Sequence, residues 1–181
     1  MPFTYEDLLL IPEDIRCEIF NGELRYNRSR TVRHQAVLGA IAFALCEYVE
    51  ANQTGVVLVG PVDVVLAPEW VLTPDILYVS NVRKSILTER NISGPPDLTV
   101  EVLDDWTLER DEIIKREAYE KFGVNEYWII DPELESIKVY RRNATNRYDR
   151  VVELSTETEG ARFISPLFPD LEIPLAEIFA E

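Results

Sequence analysis

Histidine is almost missing from this chain, with His34 its only copy. A metal centre built on histidines therefore has no second ligand. Cysteine is scarce too, and Cys17 and Cys46 show no zinc-ligand spacing and form no disulfide framework. They read as buried thiols of a reducing compartment. No glycine-rich phosphate loop and no Gly-x-Ser-x-Gly turn is found, so P-loop nucleotide hydrolysis and serine-type hydrolysis lose support. Positive charge is in short supply: 18 Lys and Arg stand against 33 Asp and Glu, a formal charge of −15. Such a balance favours solubility and disfavours indiscriminate adhesion to DNA or anionic membranes. The longest apolar run, AVLGAIAFAL, is about ten residues, too short to span a bilayer. The opening MPFTYEDLLLIPEDIR has no basic leader and no continuous apolar core, so no secretory signal is expected. These absences together predict a cytoplasmic protein.

What is present suffices for one full-sized domain over 1–181. The chain has 181 residues, 46% of them hydrophobic. Thr4 with Asp7 three residues on marks a helix start, and Pro12 closes that short helix. CEIFNGELRYN reads as a hairpin around Asn21-Gly22. From His34 to about Asn52, Val37, Ile41, Leu45 and Val49 repeat every four residues, the signature of an amphipathic helix. VVLVG and VDVVLA read as strands, and Trp70 to Val79, in the run VLTPDILYVS, as a third. A mixed polar stretch then leads to LTVEVL. A second helix is expected from Leu108 to Phe122, with Gly123 as its stop. EYWIID and IKVYRR form a further hairpin, followed by RYDRVVEL and a terminal strand and helical turn. The order predicts an α/β protein, in the sense of an α+β mixed sheet flanked by helices.

Two strand-like runs carry acids in their interiors. TPDILYVS holds Asp75, and PPDLTVEVLDDW holds Glu101, with Asp104 and Asp105 at its end. If the runs are neighbours, both carboxylates project into one cleft, where they repel unless a cation or a shared proton intervenes. An all-oxygen pair suits a hard ion such as Mg²⁺. The alternative is a buried acid paired with Arg or Lys. Asp111, Lys115 and Tyr119 follow at i, i+4 and i+8 on one helix face. A lysine beside two carboxylates can orient a metal-bound water and offset phosphate charge. It can equally form a surface ion pair with Asp111.

The run TPDILYVS…GPPDLTVEVL…D…K…Y…FGVNEYWIIDPE resembles the Uma-two family of restriction-endonuclease-like proteins, within the PD-(D/E)xK nuclease superfamily. Its most specific part is D-x-x-x-K-x-x-x-Y-x-x-x-G-V-x-E-Y-W-x-x-D-P, Asp111 to Pro132. The resemblance extends from EIFNGEL to SPLFPDLEIPLAEIF. It implies a restriction-endonuclease-like core and a metal-dependent endonuclease that hydrolyses phosphodiesters, of DNA above all, with metal-activated water. Asp75 and Glu101 would be catalytic metal carboxylates, with the Val102 backbone carbonyl as a further ligand. Leu103 stands where the superfamily places its lysine, so Lys115 would take that role. Glu18 matches an acidic position of the family and is a candidate auxiliary ligand, the alternative being a solvent-facing hairpin acid. Mg²⁺ is the implied ion, with Mn²⁺ as a substitute. The implied products are a 5′-phosphate and a 3′-hydroxyl. A homodimer would supply two sites for the two strands of a duplex.

One departure bears on activity. The family follows E-V-L with a Ser-Pro-Ser-Thr-like run, whereas this chain has Asp104, Asp105, Trp106 and Thr107. The added acids could recruit cation or repel a phosphate backbone. With the charge of −15, they keep a second expectation in view: a nuclease fold retained as a binding or assembly module without turnover. Arg28, Arg30 and Arg33 form the one concentrated basic patch, which could hold backbone phosphates or be a solvated connector. His34 is expected to pack at its helix start or touch a phosphate. Trp128 reads as core, Asp131-Pro132 as a turn, and Asp97 as the start of its strand.

Overall fold

The computed structural model describes residues 1–12, 14–104 and 110–180. Asp105, Trp106, Thr107 and the helix start set at Leu108 lie outside the described residues.

Two larger sheets are built from interleaved pieces of chain, and a third, two-stranded one forms near the C-terminus. A short helix α1 (Tyr5–Leu8) opens the structure, and Asp7 Oδ2 accepts the Thr4 backbone N–H at 2.8 Å. Strands β1 (Cys17–Phe20) and β2 (Glu23–Tyr26) pair as the expected hairpin. Its turn residues Asn21 and Gly22 both have positive φ, 50° and 78°, which this tight turn requires. Helix α2 (Val32–Asn52) follows, with the Thr31 side chain accepting from the His34 backbone N–H. Val37, Ile41, Leu45 and Val49 are all buried, as their spacing predicts.

Next come β3 (Gly55–Val59), β4 (Val64–Ala67), β5 (Trp70–Leu72) and β6 (Ile76–Ser80). VLTPDILYVS is thus two strands, and Asp75 lies at the bend between them rather than inside one. Pro74 is the reason: it has no N–H for a ladder, so pairing stops and the chain changes sheets. A 3₁₀ turn (Asn81–Ile86), β7 (Ile92–Ser93) and β8 (Leu98–Val102) follow. The region expected as one helix winds as a π-helical segment, Arg110–Lys115, which runs into α3 (Arg116–Phe122). Gly123 ends it in the left-handed conformation. The chain finishes with β9 (Glu126–Asp131), β10 (Ser136–Arg142), β11 (Tyr148–Ser155), β12 (Arg162–Ile164), β13 (Glu172–Pro174) and α4 (Leu175–Ile178).

The larger sheet has the order β11-β10-β9-β8-β6-β3, with β8 and β9 parallel and the other neighbours antiparallel. The second runs β2-β1-β5-β4-β7. Alternation splits the faces of β8 and β9. Val100, Val102, Trp128 and Ile130 pack with the buried stripe of α2 and with Phe163 and Phe168. Leu103, Tyr127 and Ile129 pack with Tyr119 of α3 and with Phe20 and Leu72 of the second sheet. The mixed α+β architecture agrees with the expected class. Among the described residues no helix is long and apolar enough to cross a membrane.

Leu45 is fully buried in the main core, whereas Phe43, two residues earlier on the same helix, is 70% exposed. Urea unfolding is expected to show a cost of about 2–5 kcal/mol for Leu45→Ala. Phe43→Ala should stay within about 0.5 kcal/mol.

Candidate active site

Glu101 belongs to the β8 face that looks toward α3 and the second sheet. It is fully buried. Its Oε1 accepts from Lys115 Nζ at 2.7 Å and from the Tyr119 hydroxyl at 3.0 Å. Lys115 is itself fully buried and reaches two further carboxylates, Glu18 Oε1 at 3.0 Å and Asp111 Oδ1 at 3.6 Å. Glu18 is not on the solvent face of its hairpin. Strand β1 lies between β2 and β5, and all four of its residues are buried. Glu18 Oε1 also accepts the Thr73 backbone N–H at 2.8 Å.

Asp75 sits just before the start of β6, close to His34 in the first turn of α2. Three backbone contacts fix it there: its N–H donates to Val100 O at 3.1 Å, its carbonyl accepts from Gly60, and Val102 N–H donates to Oδ2 at 2.8 Å. Gly60 is needed for that approach, since a Cβ would stand 2.7 Å from the Pro74 carbonyl oxygen. His34 is buried, with Nε2 3.3 Å from Asp75 Oδ2. Arg30 bridges Asp75 Oδ1 at 3.4 Å and Asp104 Oδ2 at 3.2 Å.

Of the three arginines singled out in the sequence, then, only Arg30 meets the carboxylates. Arg33 turns away to Glu135 at 3.0 Å and to the carbonyls of Phe179 and Ala180, and Arg28 is exposed. Asp97 caps strand ends, accepting from the Ser80 backbone and from Asn125. Sequence reasoning missed Arg110. This buried guanidinium lies 3.5 Å from Glu18 Oε2 and 3.4 Å from Asp111 Oδ1, and it donates to Asn27 Oδ1 at 2.8 Å. Its signal was the spacing Arg110 to Lys115, five residues, which a π turn aligns and an α turn does not. The Tyr127 hydroxyl holds this turn by donating to the Asp111 carbonyl at 2.9 Å.

The charges do not balance. Among the described residues, Glu18, Asp75, Glu101, Asp104 and Asp111 face the cations Arg30, Arg110 and Lys115. Burial pushes the Glu101 carboxyl up to about 8; Lys115 opposes that shift, and Asp111, Asp75 and Glu18 add to it. Burial works against the Lys115 charge, but Glu101, Glu18 and Asp111 outweigh it and hold the ammonium charged. Asp75 moves the other way: burial is overcome by His34, Arg30 and the Val102 N–H, which hold it below the usual carboxylate range.

A divalent cation fits this donor set. Glu101 Oε2 is buried and, among the described residues, has no hydrogen-bond partner. A raised carboxyl beside an ionised one lacks a positive charge, and both offer hard oxygen. No group of three or more His, Cys, Asp or Glu is placed to hold a metal among the described residues.

The chain is similar to known proteins along almost its whole length. A family model described as "Uma2: Putative restriction endonuclease" matches residues 4–176. A solved structure from Anabaena variabilis, titled as a putative nuclease belonging to DUF820, superimposes with a TM-score of 0.80. It is 18% identical, over 99% of this chain and 98% of that one, so the likeness is one of fold. None of the curated proteins matches.

The raised carboxyl has a consequence for stability. Between the ordinary carboxylate range and about 8, folded Glu101 keeps a proton that the unfolded chain has lost, so stability falls as pH rises across that window. In a chelator, the melting temperature at about pH 8.5 should lie below that at about pH 6. Glu101→Gln should flatten that slope, and an unchanged slope would show that Glu101 does not carry the proton.

Proposed function

The chain belongs to the Uma2 restriction-endonuclease family, and on that premise we propose that it is a metal-dependent endonuclease that hydrolyses phosphodiester bonds of nucleic acid, DNA in the first place. The observation that carries this reading is the buried Lys115–Glu101 contact at 2.7 Å, with Glu101 Oε2 left open beside it. Asp75 and Glu101 would hold Mg²⁺, with the Val102 carbonyl and Glu18 as further candidates; Mn²⁺ should substitute. When bound, such an ion supplies Lewis acidity, lowering the pKa of a ligated water and offsetting phosphate charge.

The chain's own residues do the positioning. Tyr119 and Lys115 both grip Glu101 Oε1 and so fix the direction of Oε2. Val102 N–H does the same for Asp75 by donating to Oδ2, with His34 Nε2 3.3 Å from that oxygen. Lys115, held as an ammonium, donates protons only; it can orient a water oxygen and stabilise charge developing on a phosphoryl oxygen. Arg30, already at Asp75, would contact the same phosphate. A second reading, binding without turnover, is favoured by one observation: Lys115 is already shared by three carboxylates.

Single- and double-stranded DNA and RNA incubated with Mg²⁺ or Mn²⁺ distinguish the two. The nuclease reading expects cleavage that a chelator stops and that leaves 5′-phosphates. Asp75→Asn, Glu101→Gln and Lys115→Ala should each lower the rate on the order of 100-fold or more. Lys115→Ala also strips buried acids of their partner, at roughly 3–5 kcal/mol. It is therefore assayed below its own melting temperature, beside the isosteric Asp75→Asn. Cleavage that survives Asp75→Asn and Glu101→Gln would contradict the reading. Nucleic-acid binding with no cleavage of any substrate would favour the second.

A further inference from the structure

A cleft of about 580 Å³ opens beside the carboxylates, with Asp75 in its lining. Four arginines line it, from three separate segments: Arg16 before β1, Arg28 and Arg30 before α2, and Arg90 before β7. The acids among its lining residues are Asp63 and Asp75. In a chain of net charge −15 this is a local reversal of sign. Arg16, Arg28 and Arg90 are exposed and, among the described residues, make no ion pair. By contrast, other exposed arginines such as Arg147, Arg150 and Arg162 each hold a carboxylate. Apolar lining comes from the chain after α1, including Leu9, Ile11 and Ile15. Leu9 and Ile15 are 51% and 42% exposed.

Guanidinium groups and aliphatic side chains lining one cleft fit a nucleotide, with phosphate oxygens on the arginines and a base face on the aliphatic side chains. The volume lies in the range of ligand-engulfing pockets, on the order of one or two nucleotides. A duplex would instead lie across a broad basic face, more than one cleft with four arginines supplies. We propose that this cleft seats an unpaired strand of nucleic acid, taking one or two nucleotides and bringing the adjoining phosphodiester to Asp75. This rests on the nuclease reading for the role of Asp75, whereas the binding itself does not.

Fluorescence anisotropy in a chelator tests it without turnover. The probes are a fluorescein-labelled oligothymidylate of about six nucleotides, the matching oligouridylate, and a blunt G·C-rich duplex of about sixteen base pairs, long enough to stay paired. Binding of both single strands defines the shared chemistry; a gap between them tells DNA from RNA. The single strand that binds better should bind about tenfold tighter than the duplex. Arg16→Gln/Arg28→Gln/Arg90→Gln should weaken binding about tenfold or more, and its salt slope should fall by about 0.7 for each phosphate it no longer neutralises. The charge-matched Arg147→Gln/Arg150→Gln/Arg162→Gln should stay within about twofold. Duplex binding as tight as single-strand binding, or equal weakening in both triple variants, would overturn the proposal. Strand binding that needs the cleft arginines, with no cleavage of any substrate, would sink the nuclease reading and leave the cleft. Lys115-dependent cleavage of duplex, indifferent to those arginines, would do the reverse.

Discussion

One ammonium group, that of Lys115, ties the candidate site together. It has no exposed surface and touches carboxylates from three different pieces of chain: Glu18 of the second sheet, Glu101 of the larger sheet and Asp111 of the π-helical segment. Burying an ion costs several kcal/mol unless it is paired, and removing one member of a buried pair leaves the others uncompensated. The two sheets and the π segment are thereby bound to one arrangement. The same contacts keep Lys115 charged, while burial and the neighbouring acids raise the Glu101 carboxyl against the pull of Lys115, so the pieces that hold the fold also set the site's unmet demand for positive charge.

The surrounding architecture serves that arrangement. Alternation along β8 sends Val100 and Val102 into the α2 core and leaves Glu101 on the α3 side. The Pro74 break lets Asp75 leave its ladder and accept the Val102 N–H, so the two carboxylates lie on or beside neighbouring strands. Helix α2 brings His34 to Asp75, and the connector before it brings Arg30. Beyond Asp75 the surface changes sign, as acids give way to arginines lining the cleft.

Much of this could be read from residues alone, and the failures have physical causes. The four-residue repeat from Val37 to Val49 and the Asn21-Gly22 turn are local signals with local outcomes, and both appear in the fold. The whole-length family match agrees with the resemblance carried by D-x-x-x-K-x-x-x-Y and its continuation. Asp75 was expected inside a strand because apolar residues flank it on both sides; Pro74 was the contrary signal. A spacing of four fits α and π winding alike, so Asp111 and Lys115 could be placed on one face while Arg110 was overlooked. Whether Glu18 faced solvent depended on which strand would cover β1, a long-range fact that four residues cannot encode. Arg30 and Arg33 are close in sequence but point to different partners, because the chain enters a helix between them.

The central claim is that Asp75 and Glu101 jointly face a divalent cation, which the buried lysine cluster leaves wanting. Calorimetric titration of Mn²⁺, a tighter-binding stand-in for Mg²⁺, into the wild type, Asp75→Asn and Glu101→Gln tests it without any assumption about substrate. The account predicts saturable binding in the wild type, abolished in both folded variants. Equal heats in all three proteins would contradict it.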